Sequence, residues 1–368
     1  MNKEIISSKQ LQFLIFTFGL GSYLLFNIGS DAKQDAWISL IIATILCLIT
    51  VSIYGKIMSY YPKKNIFEIL KLELGKIIGL VLSFMFLVYI FLLGSYIFND
   101  FIDFIKITAL SRTPDPILII CIGLLSIWIL QLGIQVVADW AAFLIRIILI
   151  FVILSWILLI PQMHFFNILP IIFENSSCIL KEAINIWAFP MNEVIIFLSF
   201  FDCMQNDTNI KTIFFKPIIF SGIIALIFIL TNISILGGNT YQISYYSGYE
   251  VAKRLRIGGE FQRIEIIVSA TFTIIQFLEI SYCLLGITKG FKTIFNLVTH
   301  RNMIIPLGFL MMNFTYIIFR GSLKAIQFAT GLWILYCLFM QVLLPVIILC
   351  IMWWKRKFNR DLHETDIN

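Results

Sequence analysis

Charge is what this sequence has little of. Asp, Glu, Lys and Arg together make up 13% of its 368 residues, against 60% hydrophobic residues and a mean hydropathy of +0.94. A water-soluble domain cannot cover its surface with so few charges, so a soluble fold is excluded. Histidine is scarce, and His164, His300 and His363 share no helix face, so no metal site is expected. The seven cysteines are scattered singly with no CxxC pair and read as small core residues, implying neither disulfide nor metal. HExxH, GxSxG and an aspartate pair in facing spans are all missing, so no enzyme and no cofactor are expected. The net charge of +6 resides in basic residues spread among short segments between apolar runs. Membrane orientation accounts for them, and no nucleic-acid partner is expected.

What is present is a series of apolar stretches of the length that crosses a bilayer as helix. The spans are drawn at 11–28, 37–54, 77–104, 116–132, 141–160, 184–201, 213–236, 264–285, 304–319 and 328–354. The prediction is an all-α polytopic membrane protein with ten transmembrane helices, a single domain over 1–368. The first apolar run has no small-residue cleavage pattern after it and is expected to stay in the protein. An even number of spans places both termini on one side. The larger share of Lys and Arg, with Lys71, Lys289 and Lys292 counted as loop charges, falls on that side, so both termini are expected in the cytoplasm. Trp353-Trp354-Lys355-Arg356-Lys357 ends the last helix as an aromatic and basic anchor to membrane lipid, before a tail at 356–368.

The sixth span is interrupted by Phe189-Pro190-Met191-Asn192-Glu193. A proline, an amide and a carboxyl group there break the hydrogen-bond ladder and set polar atoms where lipid cannot serve them. The first span carries Gly19-Leu20-Gly21-Ser22 midway. On their own Gly19 and Gly21 read first as close-packing residues, and only second as an unwound stretch. Interruptions at matching positions of two five-helix halves, about 8–160 and 180–355, favour the second reading: an inverted repeat with broken helices 1 and 6 and a site at the bilayer middle. In the eighth span Glu265, Ser269, Gln276, Glu279 and Cys283 form one polar stripe, which must face protein. Glu279 then serves either a structural hydrogen bond or a ligand.

Elsewhere the reading is structural. The segment 59–79 alternates apolar and charged residues at helical spacing and is expected as a short helix lying in the cytoplasmic interface. Thr113-Pro114-Asp115-Pro116 makes a rigid outer turn. The loop 237–262, rich in tyrosine and then in basic residues, is expected to pack at the interface or to act as a lid.

In order and spacing these features resemble the spore germination permease family, the B subunits of germinant receptors, within the amino acid, polyamine and organocation transporter superfamily. The resemblance rests on Ile6-Ser7-Ser8-Lys9-Gln10, the Gly-rich first span, Asp35-Ala36-Trp37, Tyr61-Pro62 with Ile66-Phe67-Glu68 and Leu74-Gly75-Lys76, Thr113-Pro114, the Phe189 to Glu193 break and Phe261-Gln262-Arg263-Ile264-Glu265. It departs from the family at Gly133-Ile134-Gln135, and at Asn192, where a small residue is expected. It implies a LeuT-like fold, residence in the spore inner membrane, and a complex with a germinant receptor A subunit and a C-subunit lipoprotein. The implied ligand is a small nutrient such as an amino acid. By analogy of helix position, backbone amides near Gly21 and Ser22 would take a carboxylate, Glu193 an ammonium group or cation, and Phe189 would close over the ligand. Tyr96, Glu279 and Tyr282 would line the remaining wall. A proton- or cation-coupled amino acid transporter and a scaffold without ligand are the other readings.

Overall fold

Apolar runs fold as helices here because a chain in lipid has to satisfy each backbone N–H and C=O from within itself. The computed structural model describes residues 5–24, 26–172, 176–205, 210–254, 265–319 and 331–365. The Phe261 to Ile264 signpost and the start of the tenth expected span lie outside the described residues. Among the described residues eight helices are long and apolar enough to cross a membrane. Their outer faces expose large side chains such as Ile45, Ile49, Ile77, Trp128 and Ile150, while Phe86, Tyr89, Phe197, Phe200 and Tyr282 are fully buried. So many large apolar side chains exposed around a packed interior make a lipid-facing surface, and the chain is an integral membrane protein.

The first helix, α1 (Ser8–Gly21), is started by a capping box in which Ser7 Oγ accepts from the Gln10 amide and Gln10 Oε1 accepts from the Ser7 amide. At 14 residues it rises only about 21 Å, short of a bilayer core. It is followed by α2 (Ala36–Tyr60), α3 (Ile66–Leu74), α4 (Lys76–Thr108), α5 (Asp115–Leu132) and α6 (Ile134–Leu159). Next come α7 (Ser176–Ala188), a 3₁₀ segment over Met191–Cys203, α8 (Ile210–Leu236), α9 (Gly238–Ile243) and α10 (Ser247–Arg254). The chain continues with α11 (Glu265–Ile294) and α12 (Ile304–Ile318), the latter 15 residues long, and ends in a rod from Leu332–Leu338 through the π-helical Phe339–Leu343 to Leu344–Thr365. The first expected span is thus a helix that ends earlier than drawn, while α12 matches the ninth to within one residue. Helix α1 packs among α6, α8 and α11, α2 packs on α7 and α8, and α4 runs along α11 with α3 and α12 beside it.

The end of the molecule at which α1 starts, its base, is tightly bonded. Ile6 donates its amide to the Cys203 carbonyl (2.9 Å) and accepts from the Gln205 amide (3.1 Å). Lys289 Nζ lies 2.7 Å from Asp202 Oδ1 and 2.8 Å from Cys203 Sγ. Lys289 is therefore no loop charge: α11 continues past it, and the residue is buried. The short helix expected within 59–79 is α3, which turns one face inward and leaves Leu72 exposed. Its Phe67, Ile69 and Leu70 are fully buried, with Phe67 seated against Gly290 so closely that a Cβ there would stand 2.4 Å from the ring. Lys355 pairs with Glu73 Oε2 at 3.1 Å and closes the same end.

At the opposite end, the mouth, Asn27 Nδ2 donates to the Gln242 carbonyl (3.1 Å) and Tyr241 donates its hydroxyl to the Ile28 carbonyl (2.7 Å), tying α9 to the chain beyond α1. Tyr246 and Tyr249 are buried edge-on against Phe104 of α4, with centroids 5.2 and 5.8 Å away. Helix α10 is thus packed down over the end of α4. The rigid outer turn expected at Pro114 is clasped by an ion pair between Lys106 and Asp115.

Candidate functional site

The C-terminal ends of two helices border one cavity, and past the first of them only long bonds persist, from the Leu24 amide to the Leu20 carbonyl and from the Phe26 amide to the Ser22 carbonyl, at 3.3 Å each. Helix α1 gives way to turn at Ser22 after two glycines, the residues least costly to unwind. Helix α7 stops at Ala188, ahead of Pro190, which has no amide to donate. Between these ends lies a cavity of about 390 Å³, within the size range of small-molecule sites. Its inner wall is made by Ser22, Phe26, Tyr96, Asp100, Phe189, Pro190 and Tyr245. Toward the mouth it is bordered by Asp31, Lys181 and Glu182. Asp31 and Lys181 are largely exposed and stand 3.8 Å apart, so the cavity communicates with that surface.

Of the residues singled out in the sequence, Ser22, Tyr96, Phe189 and Pro190 line this cavity. Tyr96 and Phe189 meet edge to face at 5.5 Å and 85°, forming its floor on the α4 side. Gly21 lies against the carboxyl group of Glu279: a Cβ on Gly21 would fall 1.9 Å from Glu279 Oε1. Only a residue without a side chain lets α1 and α11 bring that carboxylate against the backbone. Glu193 and Asn192 are buried in the 3₁₀ segment, with Glu193 Oε1 and both amide atoms of Asn192 lacking any hydrogen-bond partner. Glu193 and Glu279 lie within electrostatic range of each other. Two residues stand apart. Gly19 faces Ser221 of α8, where a Cβ would sit 3.0 Å from Oγ, so it is a packing position. Tyr282 is fully buried, its hydroxyl 2.9 Å from Thr17 Oγ1 and its ring against Phe18 and Phe197, and it joins α11 to α1.

The sequence reading missed Asp100. This residue is 3% exposed, lines the cavity with Oδ1 unpaired, and lies within electrostatic range of both Glu193 and Glu279. The available signal was spacing, since Asp100 follows Tyr96 by one helical turn of α4 and so shares its face. Glu182 was also missed. It is nearly as buried and accepts from Asn185 Nδ2 at 2.7 Å. Among the described residues no group of three or more His, Cys, Asp or Glu is arranged to hold a metal ion. The chemistry on offer is binding: aromatic rings with unpaired carboxyl and amide oxygens among or near them.

A family model for spore germination proteins matches residues 5–323. Spore germination protein KB of Bacillus subtilis (strain 168) is 24% identical over 361 residues, 97% of each chain. Spore germination protein YndE of the same organism is 22% identical over 309 residues, 78% of this chain and 81% of that one. Among solved structures, a nucleobase-cation-symport-1 family transporter, closed with bromovinylhydantoin bound, superposes with a TM-score of 0.68 at 13% identity, covering 94% of this chain and 78% of its own. A Na+-coupled sialic acid symporter gives 0.63 at 13% identity, covering 92% and 80%. MhsT in complex with L-phenylalanine gives 0.62 at 12% identity, covering 93% and 97%. At these identities the structural likeness speaks for the fold alone, which is that of LeuT-like transporters.

Proposed function

Because this chain belongs to the spore germination permease family, we propose that it is the nutrient-sensing subunit of a germinant receptor in the spore inner membrane. It binds a small nutrient such as an amino acid and signals the end of dormancy to an A subunit and a C-subunit lipoprotein. In this reading the fold is a ten-helix, 5+5 inverted repeat in which α1 and α7 are the first arms of two broken helices. Both termini are cytoplasmic, so the mouth faces outward. The backbone near Gly21 and Ser22 receives the polar end of the ligand, Tyr96 and Phe189 form the aromatic floor beneath it, and the buried Glu193 and Glu279 supply carboxyl groups close by.

The observation that carries this reading is the cavity where α1 and α7 end, reachable from the mouth while the base is closed by the Lys289–Asp202 pair. A ligand there shifts the arrangement of the helices only to the extent that it binds one arrangement better than the other. The test is a germination dose response to a nutrient panel in spores carrying Glu193→Gln or Glu279→Gln, with protein abundance checked. The midpoint is expected to rise about tenfold or more, the cost of a lost buried polar contact. An unchanged response at normal abundance removes the site.

A second reading, a proton- or cation-coupled amino acid transporter, is favoured by two carboxyl groups buried in mutual range within the membrane. Gradient-coupled amino acid uptake by this chain alone in liposomes would establish it in place of a pure sensor.

A further inference from the structure

Asp100 is the one carboxyl group of the central three that lines the cavity, and its Oδ1 meets no donor although the residue is only 3% exposed. Leaving a carboxylate oxygen unpaired at that depth is costly unless a cation or donor arrives to meet it. Glu193 and Glu279 lie within electrostatic range of Asp100, and neither takes part in an ion pair among the described residues. The border of the cavity adds Glu182 and Asp31, with the exposed Lys181 beside them. Among the residues that line the cavity, carboxyl groups outnumber cations.

Its walls have the matching chemistry. Phe26, Tyr96, Phe189 and Tyr245 line the same cavity as Asp100. Tyr96 and Tyr245 are joined by a side-chain hydrogen bond, Phe189 stands edge-on to Tyr96, and Phe26 lies 5.5 Å from Tyr245. Aromatic rings around an unpaired carboxylate attract a cation twice over, through its charge and through the ring faces, most strongly where water is excluded.

We propose that Asp100 anchors the ammonium group of the ligand inside this aromatic enclosure, so that the ligand class is a small organic ammonium compound. The inference rests on the receptor reading above and adds the residue and the selecting charge. An amino acid and a simple amine present the same group. They differ in the carboxylate, which would reach toward Ser22.

The test uses the purified full-length chain in lipid nanodiscs, with thermal stabilisation read against L-alanine, L-phenylalanine, phenethylamine, tetramethylammonium and 3-phenylpropionate. Phenethylamine and the amino acids are expected to stabilise the protein, and 3-phenylpropionate, which lacks the amine, is not. Asp100→Asn should weaken amine binding about thirtyfold or more, as truncating one side of a buried charge pair does, while Asp100→Glu retains most of it. Stabilisation by phenethylamine but not by the amino acids would identify the source as a simple amine, and stronger binding of the amino acids would identify the zwitterion. Either outcome supports the anchor. Equal binding of 3-phenylpropionate and phenethylamine, or amine binding unchanged in Asp100→Asn, overturns it while the receptor reading stands. Failure of every compound to stabilise the wild type overturns both. Should Asp100→Asn not fold, the comparison of amine with acid on the wild-type chain still decides the matter.

Discussion

The base and the centre of this molecule bury charge to the same depth and treat it in opposite ways. At the base Lys289 is 2% exposed and has both an Asp202 oxygen and the Cys203 sulfur within 2.8 Å. At the centre Asp100 and Glu193 are each 3% exposed, and each has an oxygen with no partner. Depth of burial is therefore not what distinguishes a site from a strut. A strut satisfies its charges within the chain, whereas a site leaves them for something that comes from outside.

The largest effect should follow from breaking the satisfied end. Lys289→Ala leaves Asp202 without its partner and should cost about 3–5 kcal/mol in thermal or denaturant unfolding of the detergent-solubilised protein. The double replacement of Lys289 by Met and Asp202 by Leu should recover most of that loss, because an apolar pair of similar volume carries no orphaned charge. If the single and double variants are equally unstable, the pair is not the strut described here. Next is Gly290→Ala, whose new methyl group meets the Phe67 ring and should cost about 1–3 kcal/mol by overpacking. Gly21→Ala at the centre meets the mobile end of Glu279 and should fall at the low end of that range, while weakening the nutrient response more than Gly290→Ala does.

The sharpest contrast is one of sign. Glu193→Gln should leave the unliganded protein as stable as the wild type or more stable by about 1 kcal/mol, since a buried carboxyl group without a partner is removed, even as ligand response declines. A loss of stability equal to that of Lys289→Ala would erase the distinction between the two regions. Smallest of all, Lys106→Met at the exposed outer clasp should change stability by no more than about 1 kcal/mol.

Eight of the ten spans were legible because lipid imposes one rule on every backbone group, and the end of α7 at Ala188 was legible because Pro190 has no amide to continue the ladder. Glu193 and Glu279 stood out for the same reason, as carboxyl groups inside apolar runs. Asp100 did not. In the sequence it stands in Asn99-Asp100-Phe101-Ile102-Asp103, near the end of a long helix, where polar residues ordinarily meet water. What buries that helix end is a separate part of the chain, where Tyr246 and Tyr249 fold back onto Phe104. Coverage by a distant loop leaves no trace in local hydropathy. Lys289 was misread in the mirror sense, as a solvated loop charge, because its partner lies at Asp202, far away in sequence. The placement of Gly19 against Ser221 likewise depended on which way α1 turns, which two glycines cannot specify alone.

The bonds of Ile6 to Cys203 and Gln205 have a mechanical consequence. They pin the start of the first helix to the far end of the segment that begins at Pro190, leaving the two elements a common fulcrum at the base. Thirteen residues at the 3₁₀ rise make an arm about 26 Å long. Pivoting about that fulcrum by only about five degrees would carry the arm's upper end through about 2 Å. A small angular change at the anchored end would thus be geared up to the displacement needed to open or shut the chamber above it.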